Sequence, residues 1–171
     1  MDFHYIKYGM ALALLSILFG GMLGLSFGCC EGDIKSLLKE KATNVLTEKY
    51  QGKQELADNV TKKSWIYIKR AHFHSQAMGI IAVVFSLLVV WLNFPPQLQF
   101  GISFLSGFGS LGYGAFWLSA ALLAPELGST RAAKDSVEIL AQGSAGPFFI
   151  ASMGLFGFLV YIIFFKKTAT G

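Results

Sequence analysis

An arginine and two histidines stand close together at the start of the second long apolar segment of this chain. They are Arg70, His72 and His74, and the apolar run 77–94 follows directly. Ionisable side chains at the edge of a membrane span are costly to desolvate, so they mark a functional site by default. Imidazole binds haem iron, copper and zinc, and a guanidinium pairs well with a carboxylate such as a haem propionate. This segment is the first candidate for chemistry.

The spacing of these residues decides which of them can act together. On a helix, His72 and His74 project about 200° apart, so they share one ion only if the backbone is locally extended. His74 shares a face with Arg70 and Met78, and His72 shares a face with Gln76. We expect these five residues to line a cofactor site, and we predict no catalytic side chain. The alternative is that both histidines are interface residues bonded to water, backbone or lipid phosphate.

Two adjacent cysteines, Cys29 and Cys30, form a second candidate group at the end of the first apolar segment. One interpretation is a pair of reduced, inert thiols, since a disulfide between neighbouring cysteines is strained. The other is a metal site made by both cysteines with His72 or His74, although the chain has no CxxC spacing. The sequence contains no P-loop, glycine-rich nucleotide fingerprint or HExxH motif.

Four apolar segments must position these groups, at about 9–28, 77–94, 99–124 and 145–165. Each approaches the ~20 residues that cross a ~30 Å hydrocarbon core. Only 14% of the residues are charged, whereas soluble domains carry roughly 25%. We therefore predict an all-α integral membrane four-helix bundle. The net charge of +4 is mixed in sign and lies in loops, which argues against a nucleic-acid partner.

Two helical loops, 31–70 and 125–144, hold most of the charges. Apolar residues recur near helical spacing in the first loop, which predicts an amphipathic helical loop domain between spans one and two; they include Ile34, Leu37, Leu38 and Val45. Because this face has no large soluble core to enter, we expect it to lie against the membrane or a partner. A second helix from about Gln54 is expected to run unbroken into span two. In the second loop we predict a short helix over 130–142 that Gly143 closes.

Small residues recur every fourth position on two spans. Span one carries Gly20, Gly24 and Gly28, and span three carries Ser106, Ser110 and Gly114. Small residues at this spacing let helix backbones approach closely in lipid. We predict that spans one and two pack directly through the glycine ridge of span one.

Four spans place both charged loops on one side of the membrane. The two cysteines, His72 and His74 lie on that side, whereas His4 lies about 30 Å away across the bilayer and cannot join them. Basic residues have a similar density on both faces, so the positive-inside rule decides no orientation.

The pattern His-x-His-x4-Gly at the start of span two, here His72, His74 and Gly79, follows a glycine-rich first span. In this respect the first 95 or so residues resemble small four-span relatives of haem–copper oxidase subunit I. That family has a further histidine in span three, where this chain has Phe116 and Trp117. The resemblance implies a membrane redox context with the histidine side, and therefore both charged loops, facing the periplasm. We expect a multi-pass protein of the bacterial inner membrane.

We therefore expect a small membrane subunit of a respiratory or redox assembly, with a b-type haem or a quinone near His72 and His74. A subunit or electron-transfer component is favoured over a stand-alone enzyme, with membrane lipid and other membrane subunits as partners in a hetero-oligomeric complex. The second haem ligand would be the other histidine, a residue of another subunit, or Met22, Met78 or Met153. Two alternatives stay open: a non-catalytic structural subunit packed on larger membrane partners, and a copper or zinc handling protein that uses Cys29, Cys30 and the histidines.

Overall fold

The computed structural model describes residues 3–165, and these residues form seven helices and no strand. In chain order the helices are α1 (Lys7–Cys29), α2 (Glu31–Asn44), α3 (Leu46–Tyr50), α4 (Gln54–Trp91), α5 (Pro96–Leu127), α6 (Thr130–Ser136) and α7 (Glu138–Phe164). Helices α1, α4, α5 and α7 are long and apolar enough to cross a membrane. The predictions of an all-α fold and of four candidate spans are confirmed.

Helix α5 is the centre of the molecule. It packs against α1, α4 and α7, and 50% of its most apolar window is buried, compared with 11% for α7. Helix α7 packs chiefly on α5 and reaches α4 through aromatic contacts such as Phe85 with Phe148, whose ring centroids lie 6.1 Å apart. The arrangement is therefore a three-helix core of α1, α4 and α5 with α7 on one side of α5, rather than a square bundle.

The glycine ridge of α1 packs directly against α4. A Cβ atom on Gly24 would lie 2.7 Å from Cε1 of His72, and one on Gly20 would lie 2.7 Å from Cγ of Gln76. Both distances are shorter than real Cβ atoms show, so a side chain at either position would have to displace its neighbour on α4. The predicted contact between spans one and two is confirmed at these two glycines. Gly28 has no neighbour within 4 Å of its Cβ position and takes no part in it.

The ridge on α5 also packs inside the bundle. Ser106 and Ser110 are fully buried, and a Cβ atom on Gly114 would overlap the Ser75 hydroxyl of α4. A further crossing, which the sequence did not predict, joins α1 to α5. A Cβ on Gly9 would overlap Ser103, and a Cβ on Gly107 would overlap the carbonyl oxygen of Gly9. These contacts keep α5 between its neighbours.

Helices α2 and α3 fold back onto the first half of α4 and the end of α5. Leu38 is buried beside Tyr67 and Trp117, and the hydroxyl of buried Tyr50 donates to the carbonyl oxygen of Pro125 at 2.7 Å. The expectation that the apolar face of loop 31–70 has no core to enter is wrong for Leu38, because α4 and α5 are long enough to cover it, whereas Leu37 on the same helix is 44% exposed. The amphipathic loop domain stays a prediction. The predicted helix from Gln54 into span two is confirmed as α4.

The break in the second loop falls at Val137 instead of Gly143, so the predicted stop at Gly143 is wrong. Helix α7 begins at Glu138 and continues through Gly143. The next residue, Ser144, is buried against α5, where a Cβ on Gly112 would lie 2.8 Å from the Ser144 Cβ. This packing keeps the backbone helical, which shows tertiary contact overriding a local glycine stop signal.

Candidate functional site

Arg70, His72 and His74 all lie near the middle of α4, and the helix is continuous through them. Because the backbone is helical, the two histidines face different neighbours, as their spacing predicts. His72 lies at α1, and His74 lies at α5. The two rings therefore belong to two separate environments.

His72 is part of the contact between α1 and α4. Its Nδ1 atom lies 2.7 Å from the carbonyl oxygen of Gly20, and its ring meets the Phe27 ring edge-on at 5.4 Å between centroids. The close approach at Gly24 lies beside the same ring. The side chain is partly buried. This environment is that of a histidine that joins two helices.

His74 lies in an aromatic environment on α5. Its ring centroid is 5.1 Å from that of Tyr113 and 5.9 Å from that of Trp117. Its Nδ1 atom lies 2.9 Å from the carbonyl oxygen of Arg70, one turn earlier on its own helix. This bond orients the ring without joining α4 to another element.

The two contacts define the proton positions on both rings. A carbonyl oxygen only accepts, so Nδ1 carries the proton and donates in His72 and in His74. In the neutral ring Nε2 then has a free lone pair. Histidines that ligate a metal commonly donate their other ring N–H to a backbone carbonyl in this way, so this tautomer is suitable for a ligand or for an acceptor of a proton.

The Arg70 guanidinium stacks on aromatic rings. Its central carbon lies 4.9 Å from the ring centroid of Trp117 and 5.4 Å from that of Tyr67. The side chain is exposed, and it forms no ion pair with any residue from 3 to 165. A cation held over aromatic faces in this way is available to an anionic or carbonyl-bearing ligand.

Trp117 is the residue of this site that the sequence analysis did not assign. Its side chain is 91% buried, and Nε1 has no hydrogen-bond partner among the residues that the structure describes. A buried N–H without an acceptor costs ~1–3 kcal/mol, so such a group requires an explanation. The available signal was the helical spacing of Tyr113 and Trp117, which matches that of Arg70 and His74 on the facing helix.

An open depression of about 350 Å³ lies beside this cluster, on the surface formed by α5, α6 and the start of α7. Tyr113, Phe116 and Trp117 line it together with Lys134, Gln142 and two alanines, and the surface that these residues present is almost entirely apolar. Predominantly apolar and aromatic walls are typical of a small-molecule site.

The other predicted cofactor and ligand residues are spread around the bundle. Gln76 packs at Gly20 on the α1 side, and Met78 is partly buried one turn after His74. Met22 and Met153 are 70% and 52% exposed and project away from the bundle. The structure thus places no predicted methionine of α1 or α7 inside the helix core with a histidine.

Cys29 and Cys30 are free thiols at the end of α1. Within residues 3–165, no three or more His, Cys, Asp and Glu side chains come together as a group that could hold a metal ion. The pKa of Cys30 is raised chiefly by a hydrogen bond in which its thiol donates to the Cys29 sulfur, with smaller contributions from burial, the Cys29 charge and Asp33. Because no such group of ligands forms within residues 3–165, a metal site at these cysteines would need ligands from outside the described residues.

No protein-family model, curated protein or solved structure matches this chain. The resemblance to relatives of haem–copper oxidase subunit I stays a prediction.

Proposed function

We propose that this chain is a multi-pass membrane subunit of a redox assembly that binds the headgroup of a quinone between α4, α5 and the start of α7. The observation that carries the proposal is the buried, unpartnered indole N–H of Trp117 beside His74 and Arg70. We propose further, from the sequence, that the protein lies in a bacterial inner membrane with its charged loops on the periplasmic side, and that it belongs to a hetero-oligomeric complex.

A quinone suits this group of side chains chemically. Its ring is flat and apolar enough to lie against Tyr113 and Trp117, and its carbonyl oxygens accept hydrogen bonds. Trp117 Nε1 supplies one donor, and the Arg70 guanidinium supplies donors and a positive charge. When bound, the quinone would supply two-electron redox chemistry. The chain would orient the ring, stabilise added negative charge through Arg70 and exchange a proton at Nε2 of His74.

A quinone fits this geometry better than a haem enclosed by one chain. A six-coordinate haem needs two axial ligands on opposite sides of the iron. His72 and His74 face different helices, and Met22 and Met153 project outward. A b-type haem here would need its second ligand from another subunit. Quinone is therefore the favoured ligand, and the experiment also tests for haem.

The test is a calorimetric titration of the purified protein in detergent with decylubiquinone, with protein-free micelles as the blank. We expect saturable binding with one site per chain. Trp117→Phe keeps the ring but removes the N–H, and it should weaken binding about fivefold, the effect of one lost hydrogen bond. His74→Ala should weaken it as well. Trp91→Phe is the matched control, because Trp91 is 67% exposed at the other end of α4.

Two results would count against the quinone site. One is heat that scales with micelle concentration instead of saturating, and the other is equal binding by the Trp117 and Trp91 variants. A pyridine haemochrome spectrum of the same sample reports a b-type haem, and elemental analysis reports copper or zinc. A positive haemochrome with no quinone binding would replace the quinone by a haem shared with a partner.

One observation favours the second candidate, a structural subunit without a cofactor. Only 11% of the apolar window of α7 is buried, and its outward residues include Ile150, Met153 and Phe156. Such a face suits either lipid or a larger membrane partner. Normal assembly of the complex in both histidine variants, with no cofactor signal in the wild type, would support this candidate.

A further inference from the structure

A separate cavity, of about 460 Å³, lies between α2 and α4 on the loop side of the molecule. Its floor is apolar and consists of Leu38, Trp65 and Ile66. Lys35, Lys39 and Lys62 stand around it, and no acidic side chain lines it. An apolar floor beneath several ammonium groups complements a molecule with a negative head and a hydrocarbon tail.

The charges around this cavity are largely uncompensated. Lys35 forms an ion pair with Glu31 and also lies over the Trp65 ring, with Nζ 5.2 Å from its centroid. Lys39 and Lys62 are exposed, and neither forms an ion pair within residues 3–165. The cavity therefore has two free ammonium groups and a third that is shared with a carboxylate.

The cavity lies at the level where the first candidate span ends. The Trp65 ring meets the Phe27 ring edge-on at 5.2 Å between centroids, and α1 ends two residues later at Cys29. Tryptophan is enriched at this depth because its ring is apolar and its N–H is polar. With α1 in a bilayer, the lysines would lie at the phosphate layer.

An exposed apolar stripe continues from the cavity along α4. Ile66, Phe73 and Ile80 recur every seventh residue and are 44%, 71% and 54% exposed. Residues seven apart lie on one helix face, and these three span about 21 Å. That length and direction suit an acyl chain that enters the hydrocarbon core beside α4.

We propose that this cavity binds an anionic phospholipid, with the phosphate and acidic headgroup among Lys35, Lys39 and Lys62 and one acyl chain along Ile66, Phe73 and Ile80. The proposal rests on the four spans lying in a membrane and is independent of the quinone site. Bound lipid would hold α2 against α4 and would make the stability of the loop helices dependent on membrane composition.

The experiment uses the full chain in vesicles of phosphatidylcholine with increasing brominated phosphatidylglycerol, which quenches tryptophan on contact. The measured quantity is the difference in tryptophan quenching between the wild type and Trp65→Phe, which isolates the quenching of Trp65 in the cavity. We expect saturation at low mole fraction and a clear preference over brominated phosphatidylcholine. Lys39→Gln with Lys62→Gln should lower the relative association constant about thirtyfold, since each lysine near an anionic membrane surface contributes ~1 kcal/mol.

The matched control is Lys49→Gln with Lys53→Gln, which removes the same charge from the loop side but lies outside the cavity. It should keep the preference within about twofold of the wild type. Equal losses in the two double variants would mean general attraction to an anionic surface, and the proposal would fall. Relief of quenching by inorganic phosphate at constant ionic strength would also overturn it, because the site would then bind free phosphate. Failure here leaves the titration at Trp117 unaffected.

Discussion

The Nδ1 atom of His72 donates to the carbonyl oxygen of Gly20 over 2.7 Å, and this bond joins α4 to α1. The equivalent atom of His74 bonds only to Arg70, within α4. Two histidines of one motif therefore have different structural roles. His72 belongs to the packing of the helices, and His74 belongs to the aromatic cluster on α5.

Replacing His72 by Ala should destabilise the protein more than replacing His74 by Ala. The first change removes a bond between helices and leaves a gap at Gly24, which should cost about 1–3 kcal/mol. The second removes a bond within one helix, for less than about 1 kcal/mol. Thermal unfolding in detergent measures both. A larger loss in the His74 variant would contradict the assignment of His72 as the packing histidine.

Gly24→Leu should destabilise the protein by about 1–3 kcal/mol, the usual cost of overpacking a close contact. The reason is that the Cβ position lies 2.7 Å from Cε1 of His72. The matched control is Gly28→Leu on the same helix, where nothing lies within 4 Å and the apparent melting temperature should stay near that of the wild type. Equal effects of the two substitutions would show that α1 does not pack on α4 through this ridge.

Tyr50→Phe should loosen α2 and α3 by removing the bond from its hydroxyl to the Pro125 carbonyl oxygen, at a cost of about 0.5–1.5 kcal/mol. Hydrogen exchange of the α2 and α3 amides measures the effect. Hydrogen exchange of the α7 amides is the internal control. It should be unchanged, because the lost bond joins α3 to α5 and does not involve α7.

The same tyrosine predicts a dependence on alkaline pH. Burial raises the pKa of Tyr50 above its ordinary value of 10.0. The folded state therefore holds this proton more tightly than the unfolded state, and the stabilisation is present below pH 10 and is lost as pH rises through the folded pKa. Exchange in α2 and α3 should rise steeply above about pH 10 in the wild type. The Tyr50→Phe variant should lack this component.

Cys29→Ala should make Cys30 more reactive. The hydrogen bond that the Cys30 thiol donates to Cys29 is the main reason why the pKa of Cys30 is raised, and the thiolate is the nucleophile. Alkylation of Cys30 by iodoacetamide at pH 8 should accelerate roughly two- to threefold in this variant. Asp33→Asn should act in the same direction but more weakly, because the Asp33 charge is a smaller cause. Slower alkylation in Cys29→Ala would refute the coupling.

The sequence pattern was sufficient to predict the four long helices and one contact between helices. The four apolar runs, the continuity of α4 from Gln54 and the close approach at Gly20 and Gly24 follow from residue types and spacing alone. Each depends on a property of one helix, either its length of apolar sequence or the lack of side chains on one face.

Tertiary structure alone decided which partner covers each face. Helical spacing separates His72 from His74 by angle, but only the packed bundle places one at α1 and the other at Tyr113 and Trp117 of α5. In the same way, Leu38 finds its core only because α4 and α5 extend to meet α2. The physical reason is that residues facing lipid and residues facing another helix are equally apolar, so hydropathy cannot distinguish them. Which helix covers a given face depends instead on how several helices fit together, and the sequence of one helix does not contain that information.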